Sequence, residues 1–148
     1  MSAELLIANL LRVANEDLEG ARLLAASNNR NAVYLCEQAA EKVIRAVVTS
    51  EGKHAGIKHE LAEMVDLIPD ENPLKPALRA IEHLSQYATA YRYPVSSSRT
   101  KRIPRPPDTE ELRKAIDDTA AALANAVQQF KVDLKRVDSP AVNAGPIR

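Results

Sequence analysis

Residues 34–48, YLCEQAAEKVIRAVV, set Gln38, Glu41 and Arg45 in one polar row with Lys42 beside it, on a helix that is otherwise apolar. At about 100° per residue, Ala32, Leu35, Cys36, Ala39, Ala40, Val43, Ile44, Ala46 and Val47 cover roughly half of the circumference, and Tyr34 joins the polar row opposite them. A carboxylate, two cations and an amide in one row suit the binding of charged groups. They also suit plain solvation, since a Glu–Arg pair four residues apart contributes only ~0.2–0.5 kcal/mol on an exposed helix. Both readings stand on pattern alone. Asp17 lies in the apolar stripe of the first helix, where an unpaired carboxylate is expensive. It must therefore pair with a cation or cap a neighbour, unless it reaches water at the core's edge.

Other chemistry-bearing residues say less. His54 and His59 are five apart but have no third ligand nearby, so no metal site is expected. His59 suits a helix-start position and His83 plain surface. Cys36 falls on the apolar face, where a thiol is an inert small hydrophobe. Between Arg92 and Pro107 stand Arg92, Arg99, Lys101, Arg102 and Arg105 with no acidic residue, a basic loop suited either to phosphate contacts or to solvated surface. No Gly-rich phosphate loop or nucleophile elbow is present, and no cofactor is expected.

The elements that position these residues follow from apolar spacing. A first helix is expected over Ala3 to Ala26, with Leu6, Leu10, Ala14, Leu18 and Ala21 on one side, joined by Ile7, Leu11 and Leu24. Asn28-Asn29 makes the turn, and a second helix runs from Asn31 to Ser50, stopping near Gly52. A short third helix buries Leu61, Met64, Val65 and Ile68 before Pro69. A fourth, entered through Pro73 and Pro76, faces the core with Ala77, Ile81, Leu84, Ala88 and Tyr91 and ends before Pro94. Asp108 and Glu111 have capping-box spacing for a fifth helix, whose stripe reads Leu112, Ile116, Thr119, Leu123, Ala126, Val127, Phe130 and Leu134. The reading is an all-α, up-and-down bundle of about five helices over residues 1–137, with 138–148 a disordered tail. Ile7 and Leu11 extend the first stripe beyond what one side needs, which points to a homodimer.

The chain has 148 residues, 45% hydrophobic and 27% charged, enough for one domain with a real core. Formal net charge is zero, so any nucleic-acid role needs a local patch. Aromatics at 3% argue against base-stacking platforms. One cysteine fits a reducing cytoplasm, and neither a membrane span nor a signal-peptide pattern is expected.

The stretch DLEGARLLAASNNRNAVYLCEQAAEKVIRAVV, followed by KHEL and by YRYP closing a helix, resembles the HEPN domain family, the higher-eukaryote and prokaryote nucleotide-binding domain. Gln38-Ala39-Ala40-Glu41-Lys42, His59 and Arg92-Tyr93-Pro94 carry the resemblance together, from about Asp17 to Pro94. It implies a helical bundle that commonly dimerises, with a polar cleft on its central helices. Many members stand beside a minimal nucleotidyltransferase, and some are ribonuclease toxins of toxin–antitoxin systems. Those ribonucleases carry an arginine followed after four to six residues by a histidine. After Arg92 those places hold Ser97, Ser98 and Arg99, while Arg79 and His83 are separated by only three residues. RNA cleavage needs a proton acceptor for the 2′-hydroxyl, which serine and arginine do not supply near neutral pH.

The expectation is a non-catalytic, dimeric module that binds a nucleotide, an RNA phosphate or a nucleotidyltransferase partner. Its candidate ligand-binding residues are Asp17, Gln38, Glu41, Lys42, Arg45, His59, Arg92 and Tyr93. Arg99, Lys101, Arg102 and Arg105 are candidate phosphate contacts. Glu41 and Asp17 are expected to hold Arg92 or His59 in place. The alternatives are a ribonuclease toxin with an atypical acid–base pair such as His59 with Arg92, and a purely structural dimerisation protein.

Overall fold

The computed structural model describes residues 2–57, 60–88, 91 and 105–146. Five α-helices follow in order: α1 Ala3–Ala26, α2 Asn31–Ser50, α3 Leu61–Asp66, α4 Lys75–Arg79 and α5 Thr109–Phe130. A 3₁₀ helix, Glu82–Tyr87, lies between α4 and α5, and no strand occurs among the described residues. α1 and α2 form the central hairpin; α5 packs on both, and α3 and the 3₁₀ helix cover the other flank of α2.

Local chemistry accounts for most boundaries. Ser2 caps α1 by accepting from the Leu5 amide, and Asn28 makes the following turn at φ 54°, a left-handed conformation that asparagine tolerates better than most residues. Asn29 Oδ1 then accepts from the Asn31 amide at the start of α2. Gly52, at φ 72°, turns the chain out of α2. Asp108 and Glu111 form a complete capping box on α5.

Two readings of the apolar stripes need correction. The buried seam of α1 is Ile7, Leu11, Ala14, Leu18 and Ala21, each at 0–1% exposure, whereas Leu6 is 39% exposed. The spacing of four, three, four and three forms one continuous line down the helix. The neighbouring line, Leu6, Leu10, Val13 and Asp17, therefore sits at the edge of the core, and Ile7 and Leu11 are core residues that cannot reach a partner.

The expected fourth helix is also divided. α4 ends at Arg79, and the chain then winds as a 3₁₀ helix, whose three residues per turn align Ile81, Leu84 and Tyr87 in one buried row. An α-helix would have put Ala88 there instead; Ala88 is half-buried. The same segment serves α3, whose first amide, Leu61, donates to Ser85 Oγ at 2.7 Å where Glu60 offers no side-chain cap.

The segment beyond α5, expected to be disordered from Asp138, is tied back to α1. Arg12, only 6% exposed, donates through Nε and Nη2 to the Asp133 carbonyl at 3.1 and 2.9 Å, and through Nη2 to the Ser139 carbonyl at 2.6 Å. Ala141 and Val142 add backbone bonds to Glu4 and Phe130. Pro and Gly in the sequence suggested a loose tail, but a guanidinium satisfied by carbonyls leaves no charge-pair signature in sequence. Arg12→Ala should destabilise the fold by about 1–3 kcal/mol. It should also speed tryptic cleavage at Lys135 and Arg136, and unchanged cleavage kinetics would show that the segment is held otherwise.

Candidate functional site

The α1–α2 hairpin carries a connected set of polar side chains. Lys42 Nζ donates to Asp17 Oδ2 at 2.7 Å, so the carboxylate in the first helix's stripe is paired across the hairpin and lies at the core's edge. The same ammonium lies 3.5 Å from Gln38 Oε1. Gln38 turns its Nε2 to Glu37 Oε2 at 2.8 Å. One amide thus links the Asp17–Lys42 pair to a second carboxyl, with its oxygen on the cation's side and its N–H on the acid's side. Next along α2, Arg45 Nη2 donates to Glu41 Oε1 at 3.3 Å and Nη1 to the Gly56 carbonyl at 3.1 Å. Asp17, Gln38, Glu41, Lys42 and Arg45 are all half-buried.

Glu37 is the residue that sequence reasoning missed. It is 1% exposed, the least accessible carboxyl among the described residues. Its place on the helix gives the signal that was available: it falls between the apolar face and the polar row, in the sector of Val33, Ile44 and Val48, all of them buried. Burial pushes its pKa up from 4.5 to about 7, and the neighbouring charges of Glu41 and Asp17 push the same way, against the pull of the Gln38 amide and Lys42. An acid of that strength can exchange a proton near neutrality, but at this depth it is closed to a substrate.

Arg105 is the one basic-loop residue within the described set, and it is not an idle cation. Its Nη1 and Nη2 fork onto Glu111 Oε1 and Oε2 at 2.8 and 2.9 Å. The counter-charge missing from the loop sits one turn into α5. Arg105 lowers the Glu111 carboxyl to about 2, helped by the hydrogen bond from the Asp108 amide, so Glu111 stays charged down to strong acid. Cys36 is buried beside Thr119 Oγ1 at 3.5 Å, and burial pushes its thiol up to about 11, an unreactive state. His59, Arg92, Tyr93, Arg99, Lys101 and Arg102 lie outside the described residues.

The described residues form an all-helical bundle with a half-buried charged face on its central hairpin, and no helix among them is long and apolar enough to cross a membrane. The HEPN domain matches residues 7–129, from the first turns of α1 to the last turn of α5, and the chain belongs to the HEPN family of helical nucleotide-binding and ribonuclease modules. Neither the curated proteins nor the solved structures gave a match.

The linkage of Glu37 to folding has a definite sign. Between pH 4.5 and about 7 the folded chain keeps a proton that the unfolded chain has lost, so this contribution to stability is complete below 4.5 and disappears as pH rises through 7. Glu37→Gln removes it. Relative to wild type, the variant should gain roughly 3 kcal/mol between pH 4 and pH 8, read from denaturant melts. Parallel stability profiles for the two proteins would show that Glu37 ionises as an ordinary carboxylate.

Proposed function

We propose that the chain is a non-catalytic, dimeric HEPN module whose α1–α2 face engages a nucleotide, an RNA phosphate or a minimal nucleotidyltransferase partner, as in toxin–antitoxin-like systems. The observation that carries this reading is the half-buried polar set on α2, which coincides with the Gln38-Ala39-Ala40-Glu41-Lys42 motif. Charged side chains at 15–24% exposure, as for Asp17, Glu41, Lys42 and Arg45, are positioned by their neighbours yet open on one side. Leu6 at 39% and Val13 at 40% exposure border the same hairpin and supply apolar area for a second copy.

The non-catalytic part rests on sequence. All three histidines, His54, His59 and His83, precede Arg92, so no base stands where the family's ribonucleases place theirs. Arg92 keeps the role of a forked contact to phosphate or carboxylate.

Light scattering at micromolar concentration should give a dimeric mass for wild type and a monomeric one for Val13→Lys, because a cation at that position opposes its own symmetry mate. A monomeric wild type would refute the dimer. Mixed single-stranded RNA should remain intact on incubation, and labelled RNA or nucleotide should lose affinity in Arg92→Ala. Cleavage that disappears in Arg92→Ala would establish the ribonuclease reading instead. Absence of binding to RNA, nucleotide and a co-expressed nucleotidyltransferase would leave a structural dimer.

A further inference from the structure

A second concavity lies away from the polar set, between the α1–α2 turn and the start of α5. It encloses about 560 Å³, within the range of small-molecule sites, and none of Asp17, Gln38, Glu41, Lys42 or Arg45 lines it. Its walls are mainly apolar, formed by Ala25, Ala26, Val33, Tyr91, Leu112 and Ile116.

The charged residues of the lining are three arginines and two aspartates: Arg22, Arg30, Arg113, Asp108 and Asp117. Both carboxylates are engaged. Asp108 accepts from the Glu111 amide at 2.8 Å, and Asp117 accepts from Arg113, which also holds Glu110 at 2.6 Å. Arg30 lies over the Tyr91 ring, 4.5 Å from its centroid, and donates to the Tyr91 carbonyl, so its orientation is set before any ligand arrives. Arg22 makes no hydrogen bond or ion pair among the described residues. Among the described residues the lining therefore has a positive formal charge, over an apolar, partly aromatic hollow.

We infer that this cavity binds a small organic monoanion with a planar apolar body and a single acidic head. The body packs against Val33, Leu112, Ile116 and the Tyr91 ring. The head meets Arg22, with Arg30 behind it. A neutral molecule would leave Arg22 without a counter-charge. The inference is independent of the α2 face and of dimerisation.

The test uses two dyes of matched shape on the full chain: anilinonaphthalene sulfonate, which carries one negative charge, and the neutral phenylnaphthylamine. Fluorescence titration of wild type should show one saturable site, with the sulfonate about tenfold tighter than the neutral dye. Arg22→Glu, an exposed change that leaves the fold intact, should abolish that preference while the neutral dye still binds. Ala26→Trp, which projects an indole into the cavity, should weaken both dyes. Equal affinity for the two dyes in wild type would overturn the claim of anion recognition. Indifference of sulfonate binding to Ala26→Trp, or the lack of a saturable site, would overturn the cavity as its location.

Discussion

Glu37 is a carboxyl with almost no exposed surface, and the packing of α1 on α2 has to accommodate that fact. A charged carboxylate at 1% exposure would need a cation in contact, yet the nearest ammonium, on Lys42, is already 2.7 Å from Asp17. The Gln38 amide reconciles the two by donating to Glu37 and accepting toward Lys42. With Glu37 protonated, the face balances: Asp17 and Glu41 against Lys42 and Arg45. With Glu37 ionised it carries one surplus negative charge at its least accessible carboxyl. Burial first, and that imbalance second, raise its pKa to about 7, and the shift couples the interior of the bundle to the charged face of α2.

The same economy recurs where helices end. α3 has no local side-chain cap and takes Ser85 Oγ from the 3₁₀ helix; its C-terminal side is met by Lys75, whose Nζ donates to the Ile68 carbonyl and to Asp70 at 2.8 Å. Asn72, 1% exposed, donates to Glu51 at the end of α2 and accepts from the Leu74 amide. Short elements too weak to stand alone are thus fastened by side chains from distant positions. Among the described residues no buried side-chain nitrogen or oxygen lacks a partner. That completeness explains how a chain with 3% aromatic residues can fix a single arrangement of helices.

Legibility in the sequence follows the range of the interaction. α1 and α2 have the expected limits because Asn28-Asn29 and Gly52 act on their own backbone, and the Asp108–Glu111 box was readable for the same reason. The all-helical fold was readable too, since nearly every apolar run has helical spacing. What escaped depends on partners far along the chain. Arg12 answers to carbonyls of Asp133 and Ser139, and the 3₁₀ winding at Glu82–Tyr87 serves a buried row and the start of α3. Arg105 is the exception: its counter-charge, Glu111, is near in sequence but belongs to the next helix and reads there as part of the cap. Of the candidate site, the polar row and Asp17 were visible as residue types out of keeping with their surroundings. Glu37 was not, because a helical wheel counts a boundary position as polar until a neighbouring element covers it.

The central claim, that Glu37 is a buried acid that keeps its proton up to about pH 7, is tested most directly by its own titration. Carboxyl carbon resonances of glutamate-labelled protein, with Glu37 assigned by its absence in Glu37→Gln, report the midpoint without reference to stability or binding. The account predicts a midpoint near 7, well apart from the exposed glutamates. A midpoint near the ordinary 4.5 would mean that Glu37 is charged where it sits, and the coupling between the buried acid and the α2 face would not exist.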